Sequence, residues 1–117
     1  MPRDLTVDAD ADFCYLTTTG RVTGQPQTIE IWFALHGRTL YMLAGGGRNA
    51  QWVKNLVRTP AVTVRIGAQH LAGRARLVGP GEEGTLARHL LVAKYQPRDS
   101  EDLGDWGRTA LPVAVDL

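Results

Sequence analysis

The residues best suited to bind a charged ligand stand together in residues 44–56, which read AGGGRNAQWVKNL. An apolar segment, residues 40–44, runs into three glycines, Gly45 to Gly47, which have no Cβ atom and let a ligand approach the backbone closely. A segment with helical spacing follows, and the free N–H groups and dipole at a helix start attract anions. Arg48 adds a fixed charge. The pattern predicts a docking site for a phosphorylated cofactor; the alternative is an ordinary strand-to-helix turn with Asn49 as N-cap.

Other residues that could do chemistry lack a recognisable context. The three histidines, His36, His70 and His89, show no metal-ligand spacing with one another or with acidic residues, so no metal site is predicted. No G-x-S-x-G motif is present, which gives an α/β-hydrolase no support. Glu82 and Glu83 are interpreted as the solvated acidic first turn of a helix rather than as catalytic groups.

Three polar or aromatic residues near these segments have two readings each. Glu30 lies mid-strand beside Trp32, where a buried carboxylate needs a partner, and an arginine is expected; catalysis is the alternative. Asn55 stands inside a helical segment that its propensity does not favour, so it is expected to hydrogen-bond a loop or a ligand. Trp52 is read as a core residue, with a stacking platform for a ligand as the alternative.

Length, charge and cysteine content limit the class of protein. The 117 residues fit one domain, residues 1–117, in which residues 1–11 form a loose polar lead-in. A formal charge of +1 argues against bulk attraction to nucleic acid or to a membrane surface. Cys14 is the sole cysteine, which excludes an intrachain disulfide, and it is read as a small buried hydrophobe. No signal peptide or membrane span is recognised, so a cytoplasmic location is expected.

The elements that must position these residues alternate between strand and turn signals in the first half of the chain. Residues 13–19 predict a strand, and residues 20–26 (GRVTGQP) predict a hairpin with Arg21 and Thr23 at its tip. Residues 27–35 predict one continuous strand, because Ile29, Ile31, Phe33 and Leu35 alternate with Thr28, Glu30, Trp32 and Ala34. Residues 39–44 predict the third strand.

The second half predicts two helices and three more strands. A helix is expected over residues 50–58, ended by Thr59-Pro60, with its apolar side formed by Trp52, Val53, Leu56 and Val57. Strands are expected over residues 62–66 and 70–78, and a second helix over residues 82–95 with core contacts from Leu86, Leu90 and Ala93. A polar loop, residues 96–104, precedes a final strand, residues 110–117. About six antiparallel strands in hairpin order with two short helices indicate a small, mainly β (α+β) barrel, closed or half-closed.

Several segments together resemble one known family. They are LTTTGRVTGQP, an E-x-W-F strand, LAGGGRNAQWVKNL with the following TPAVTVRIG, and the closing RTALPVAVDL. The chain from residue 16 to residue 117 resembles the deazaflavin-dependent nitroreductase family, which belongs to the flavin and deazaflavin oxidoreductases. The fold that this resemblance implies is the split β-barrel of FMN-binding-like proteins.

The resemblance also implies a hydride carrier, coenzyme F-420, in a groove of the barrel. The phosphate and acidic tail of the cofactor would meet the hairpin and the strand after it, at Arg21, Val22, Thr23 and Gln27. Its ring would lie along Met42, Leu43, Ala44 and Gly45, with Gln51, Trp52 and Asn55 nearby. Relatives often carry lysine where Val22 and Gly45 stand here, and Arg48 is the candidate to replace that charge.

The implied reaction is hydride transfer from reduced deazaflavin to an electron-poor small molecule such as a quinone, an enone or a nitroaromatic. In such reactions the cofactor carries the chemistry and the protein positions it. Tyr95 aligns with a tyrosine of the family's substrate pocket and is predicted to be a proton donor or a substrate contact. The alternatives are a barrel that prefers FMN and a non-catalytic barrel that binds a cofactor, a tetrapyrrole or a lipid. A homodimer is expected, because small split barrels often pair through exposed strand edges.

Overall fold

Seven antiparallel strands form one curled sheet in the computed structural model, which describes residues 7–117. The strands are β1 Cys14–Thr19, β2 Pro26–Ile31, β3 Ala34–His36, β4 Thr39–Ala44, β5 Ala61–Ile66, β6 Gln69–Leu77 and β7 Leu111–Asp116. The helices are α1 Gln51–Arg58, α2 Glu82–Tyr95 and α3 Gly104–Thr109. The predicted split barrel with mainly β structure is confirmed, with one strand and one helix more than the sequence indicated.

The connection between β2 and β3 curls the sheet into a half-open barrel. The strand order is β2-β1-β5-β6-β7-β4-β3, so β2 and β3 lie at opposite edges of the sheet. Only Trp32 and Phe33 separate these two strands in the chain, and the sheet must therefore curl until the end of β2 lies near the start of β3. The continuous strand predicted over residues 27–35 was wrong. The residues before the break pair with β1 as far as Ile31, and those after it pair with β4 from Ala34.

The interior of the barrel is apolar and is covered at one side by α1. Val53 and Leu56 of this helix are fully buried against the strands. Trp52 is partly buried beside them. Val57, predicted to share the apolar side, is instead 56% exposed, because the packed arc of this short helix extends only from Val53 to Leu56. As predicted, the helix ends before Pro60, with Thr59 in an extended conformation.

A second apolar cluster lies between α2 and β4. The buried face of α2 carries Gly84, Ala87, Leu91 and Tyr95. Of the predicted core contacts, Leu86 and Leu90 are partly buried and pack against this cluster, whereas Ala93 is exposed and was wrong. Small residues decide the packed face here, since a Cβ atom on Gly84 would lie 3.1 Å from the backbone oxygen of Gly79.

The predicted polar loop of residues 96–104 contains more structure than its composition indicates. A 3₁₀ turn, Gln96–Arg98, continues from α2, and α3 follows at once after the loop. Gly107 seats α3 against α2, because any Cβ atom there would lie 2.5 Å from Cγ2 of Val92. Within residues 7–117, none of the helices has the length and apolarity needed to cross a membrane.

A charged cluster joins the start of α2 to the sheet. Both guanidinium Nη atoms of Arg76 donate to the carboxylate of Glu83, at 2.6 and 2.7 Å, and its Nε donates to Asp116 at 2.8 Å. The hydroxyl of Tyr41 also donates to Glu83, at 2.7 Å. Glu83 is therefore ion-paired and not only a solvated helix start as predicted. These hydrogen bonds, first that from Arg76, lower the pKa of Glu83 from 4.5 to about 2.

This cluster predicts acid sensitivity with a defined sign. Because the pKa of Glu83 is lower in the folded protein, its stabilising contribution is complete above about pH 4.5 and is lost as the pH falls toward 2. The loss is expected to be below about 1 kcal/mol, since solvent screens a half-exposed pair. Urea midpoints between pH 7 and pH 3 measure it, and Glu83→Gln should flatten this part of the pH profile. A Glu83→Gln profile parallel to that of the wild type and of Glu82→Gln would contradict the assignment.

Candidate functional site

Asn55 is the centre of a buried polar network between α1 and the first hairpin. Its side chain is 1% exposed. Its Oδ1 accepts hydrogen bonds from the backbone N–H and from Nη1 of Arg21, at 3.2 and 3.0 Å. Its Nδ2 donates to Thr18 Oγ1 at 3.2 Å and to Gln27 Oε1 at 3.1 Å. The prediction that Asn55 hydrogen-bonds a loop is confirmed, and we call this arrangement the Asn55 network.

Arg21 is held by this network with part of its guanidinium still available. Nη1 donates to Asn55 and Nη2 donates to Gln51 Oε1 at 2.6 Å. Guanidinium carries further N–H groups in a fixed fork, which suits a phosphate or carboxylate. Four of the residues predicted to bind the cofactor, Arg21, Gln27, Gln51 and Asn55, are thus brought together through one set of hydrogen bonds.

The tip of the hairpin carries Val22 and Thr23, the other two residues predicted to meet the phosphate and acidic tail of the cofactor. Val22 is 88% exposed and presents an apolar side chain to solvent. Thr23 is exposed, and its Oγ1 accepts a hydrogen bond from the backbone N–H of Gln25 at 3.2 Å. Gly24 adopts a φ of +76°, which closes the turn and favours glycine. The tip is therefore a tight turn whose residue between Arg21 and Thr23 carries no charge.

The glycine segment leads into α1 as predicted, but its cap differs. Gly47 has a φ of +61°, and a 3₁₀ turn, Gly47–Asn49, precedes the helix. Ala50 is the N-cap of α1 and no side chain caps the helix start, so the alternative with Asn49 as N-cap was wrong. The N–H groups of the first turn of α1 are left without a side-chain acceptor, and the exposed Arg48 lies just before them.

An aromatic pocket of about 500 Å³ opens where the barrel is split, a volume typical of small-molecule sites. Its lining consists of Phe13, Glu30, Ile31, Trp32, Leu43, Glu101, Asp102, Leu103 and Trp106. The rings of Trp32 and Trp106 are nearly perpendicular, at 89°, with centroids 5.5 Å apart. The other neighbour of Trp32 is Tyr95, stacked at 4.3 Å with an interplanar angle of 3°. This pocket combines flat apolar walls with three carboxylates.

One wall of the pocket is formed by the sheet, at the end of β4. The ladder between β3 and β4 reaches only from Thr39 to Tyr41, so beyond Tyr41 this edge of β4 pairs with no strand of residues 7–117. Leu43 lines the pocket, whereas Met42 and Ala44 are buried in the barrel interior. The cofactor ring was predicted to lie along Met42, Leu43 and Ala44. Because the side chains of Met42 and Ala44 are buried, these two residues can contact such a ring only through their backbone atoms.

The pocket and the Asn55 network lie along the same strand. Gln27 of β2 belongs to the network, and Glu30 and Ile31 of β2 line the pocket. Three residues of extended strand span roughly 10 Å. The glycine segment also starts beside the pocket, since a Cβ atom on Gly45 would lie 3.9 Å from Cδ1 of Trp106. Gln27 and Ile31 lie on the same face of β2, so the network and this side of the pocket are separated by one short stretch of strand.

Glu30 has a different partner from the one predicted. Tyr15 stands opposite Glu30 in the β1–β2 ladder, and its hydroxyl donates to Glu30 Oε2 at 3.0 Å. The guanidinium of Arg65 lies 4.2 Å above the ring of Tyr15. The expected arginine partner was thus wrong, because the cation stacks on the neighbouring ring and the phenol makes the hydrogen bond. Glu30 remains exposed at the pocket.

The hydroxyl of Tyr95 is already engaged by the backbone. Its side chain is 2% exposed, and its oxygen accepts from Phe33 N–H at 3.0 Å. The hydroxyl lies 2.9 Å from the carbonyl oxygen of Asp12 and 3.2 Å from that of Phe33. Burial raises its pKa to about 12. The proton-donor role stays a prediction, and in this structure the phenol proton is directed at carbonyl groups while the ring supports Trp32.

Sequence reasoning missed much of the pocket. Trp32 was considered only as a neighbour of Glu30, although it stands in the E-x-W-F segment that carries part of the family resemblance. Phe13, Leu103 and Trp106 are distant from Leu43 in the sequence and meet it at the pocket only through the fold. Among residues 7–117, no group of three or more His, Cys, Asp or Glu side chains is placed to hold a metal ion.

The curled antiparallel sheet with a pocket at its open edge is the split-barrel fold. A solved F420-H2-dependent reductase is similar with a TM-score of 0.72 at 22% identity, covering 89% of this chain and 93% of that one. A structure described as a domain-swapped dimer is similar with a TM-score of 0.72 at 23% identity, covering 89% of this chain and 79% of that one. An FAD-binding protein from Mesorhizobium loti is similar with a TM-score of 0.71 at 15% identity, covering 98% of this chain and 90% of that one.

The family within this fold class follows from the sequence match. The F420-H2-dependent quinone reductase family matches the chain over residues 6–117, and the chain belongs to this family. It is therefore an oxidoreductase that uses coenzyme F-420. The family membership favours the deazaflavin over the FMN and non-catalytic alternatives considered from the sequence.

Proposed function

We propose that the protein transfers a hydride from reduced coenzyme F-420 to an electron-poor small molecule of the quinone type, bound in the aromatic pocket. The observation that carries this proposal is the position of the pocket. It opens at the strand edge of β4, about one short stretch of β2 away from the Asn55 network. Enone and nitroaromatic acceptors share the flat, electron-poor character that this pocket suits.

The chain's own residues fit the cofactor at both ends. The remaining N–H groups of Arg21, the uncapped start of α1 and Arg48 would hold the phosphate and acidic tail, with Val22, Thr23 and Gln27 beside them. The backbone of residues 42–45 and the side chain of Leu43 would border the ring. Gln51 and Asn55 act by fixing Arg21, and Trp52, partly buried on α1, borders the groove.

The cofactor, when bound, supplies the hydride, and the protein supplies position and a dry site. Leu43, Trp32 and Trp106 surround the transfer site with apolar surface and exclude water from it. The perpendicular indoles limit the orientations of a flat acceptor, which keeps its reactive carbon near the ring of the cofactor. No protein nucleophile is required for this reaction.

The experiment that tests the proposal is a titration of the purified protein with oxidised F-420 and, separately, with FMN. A deazaflavin Kd near 1 μM, equivalent to about −8 kcal/mol, is expected. FMN should bind at least about tenfold more weakly, which corresponds to about 1.4 kcal/mol. Steady-state oxidation of reduced F-420 by menadione then tests turnover. Equal or tighter FMN binding, or deazaflavin binding without turnover of any quinone, enone or nitroaromatic, would contradict the proposal.

Tyr95→Phe distinguishes a proton donor from a supporting residue. The substitution removes the hydroxyl oxygen that accepts from the N–H of Phe33. Because this buried N–H then has no acceptor, the free energy of unfolding is expected to fall by about 1–2 kcal/mol. Activity per folded molecule should stay within about threefold, whereas loss of a general acid costs roughly a hundredfold or more. Tyr95→Leu also removes the ring that stacks on Trp32, so the KM for the acceptor should be higher in Tyr95→Leu than in Tyr95→Phe. A hundredfold lower kcat in Tyr95→Phe would establish the proton-donor role.

We also propose a homodimer. In the described part of the chain, β2 pairs with β1 alone and β3 with β4 alone, so each has an edge available for pairing. One structural neighbour is described as a domain-swapped dimer. Light scattering at micromolar concentration is expected to give twice the chain mass, and a monomeric mass would refute the proposal.

The protein is further proposed to act as one split-barrel domain in the cytoplasm. Strands from both ends of the chain share the sheet, with β1 and β7 both in its interior, so no part of residues 14–116 forms a separate barrel. Cys14 is buried and its thiol has a pKa raised to about 12 by burial. A protected thiol without a disulfide is compatible with a reducing compartment.

A further inference from the structure

We infer that the aromatic pocket selects flat acceptors that are uncharged or cationic and discriminates against anionic ones. This inference rests on the proposed function and specifies its substrate class. Two independent features carry it: the right-angled pair of indoles, and a wall whose charged groups, among the residues that the structure describes, are all carboxylates.

The indole pair recognises shape. One face of Trp32 is covered by the parallel ring of Tyr95, and Trp106 stands perpendicular to it. A flat ring can stack on one indole and present its edge to the other, which are the two favourable arrangements of aromatic pairs. Ile31, Leu43 and Leu103 supply the rest of the apolar surface and offer nothing to a polar substituent.

The charge of the lining is of one sign. Within residues 7–117, the lining includes the carboxylates of Glu30, Glu101 and Asp102 and no lysine, arginine or histidine. The cation of α3 near this wall, Arg108, is paired with Asp105. A carboxylate about 6 Å from an anionic substituent in water lowers its binding roughly threefold. Three of them together are expected to lower it by about tenfold or more.

The acidic wall is fixed in place. The side-chain amide of Gln96 donates to the backbone oxygen of Glu101 and accepts from the backbone N–H of Leu103, both at 2.8 Å. Asp102 Oδ1 accepts from the N–H of Gly104 at 2.8 Å. These bonds hold the backbone of residues 101–104 and the carboxylate of Asp102 in place at the pocket.

The opposite end of the site carries the positive charge. Arg21 lies in the Asn55 network and Arg48 precedes α1. The site is thus electrically polarised along β2, positive at the hairpin and negative at the pocket. An anionic tail is directed to the hairpin, and an acceptor with its own negative charge is disfavoured at the pocket.

The test compares two acceptors of matched shape, 1,4-naphthoquinone and its 2-sulfonate, with reduced F-420 as donor. Because the two quinones differ in intrinsic reactivity, the measured quantity is the ratio of their kcat/KM values in each protein and at each ionic strength. For the wild type this ratio should favour the neutral quinone by about tenfold at low salt and fall as salt screens the wall. Glu101→Gln/Asp102→Asn should reduce the ratio by at least about threefold. The control Glu82→Gln, which removes an exposed carboxylate of α2 outside the pocket lining, should leave it unchanged.

A binding readout keeps this inference separate from the proposed function. In Trp52→Phe protein the remaining tryptophans, Trp32 and Trp106, both line the pocket, so quenching of their fluorescence reports occupancy by either quinone without turnover. If neither quinone is turned over but the sulfonate binds more weakly than the neutral quinone, the proposed function is overturned and the charge selection stands. A selectivity ratio that is the same in the double variant and the wild type, with equal quenching by both quinones, would overturn the inference.

Discussion

Asn55→Ala is expected to lower the free energy of unfolding by about 3 kcal/mol, the largest effect of any single polar substitution in this site. The amide accepts two hydrogen bonds and donates two while 1% exposed. Its removal leaves the buried Thr18 hydroxyl and the backbone N–H of Arg21 without that partner, and a buried group left unsatisfied costs about 1–3 kcal/mol. Urea denaturation followed by circular dichroism measures the loss.

Asn55→Asp is the matched control for this prediction. A carboxylate keeps the acceptor for Arg21 and adds charge to that bond, but it cannot donate to Gln27 or Thr18. The Thr18 hydroxyl can turn and donate instead. Asn55→Asp should therefore lose less stability than Asn55→Ala and keep more F-420 affinity. A change below about 1 kcal/mol in Asn55→Ala, the value of one ordinary exposed hydrogen bond, would show that the network is not the structural centre described above.

The second large effect is expected on cofactor binding in Arg21→Ala. A charge-assisted, bidentate contact to a phosphate or carboxylate is worth about 2 kcal/mol, so the Kd for F-420 should rise about thirtyfold. Arg21→Lys should recover little of this, because a single ammonium cannot bind Asn55, Gln51 and an anion in the fork geometry of guanidinium. Fluorescence titration of F-420 at two ionic strengths measures both variants.

The control for charge is Arg74→Ala, which removes an exposed arginine from β6 and changes net charge equally. It should leave the Kd within about twofold, since screening reduces the effect of a charge beyond roughly 10 Å. Equal losses in Arg21→Ala and Arg74→Ala would mean that the tail responds to overall charge and that Arg21 has no direct contact. An unchanged Kd in both would move the anion site to Arg48 and the start of α1.

Local patterns predicted most elements of this fold, and two of the failures depend on tertiary contacts that a local pattern does not contain. Alternation continues through Trp32 and Phe33, so nothing in residues 27–35 indicates that the chain changes partners there. The break depends on β4, whose position is fixed by other strands. In α2 the prediction found Leu86 and Leu90, which pack against the core, but missed the buried Gly84 and Ala87 beside them, because close approach to the sheet there requires small residues.

The candidate site was predictable to the extent that its residues are close in sequence or carry an unusual local signal. The glycine segment was found from its composition, and Asn55 from its unfavourable place in a helix. Trp106 gives no such signal, because it lies on α3, a helix with two glycines that the pattern did not indicate. The acidic wall at Glu101 and Asp102 was interpreted as an ordinary polar loop, and only the three-dimensional contact with β2 and β4 reveals its place at the pocket.

The position of β7 between β6 and β4 also matters during synthesis. The ribosome completes β4 at residue 44 but reaches β7 only at residue 111, and at roughly 5–20 residues per second this leaves a delay of about 3–13 s. During that interval the edge of β4 that will bind β7 is unpaired, and the corresponding edge of β6 joins it once residue 77 has been added, so nascent chains can associate through them. Chaperones that cover the nascent chain should therefore raise the yield of native protein, and slower translation upstream of residue 111 should lower it, even though neither changes the stability of the finished barrel.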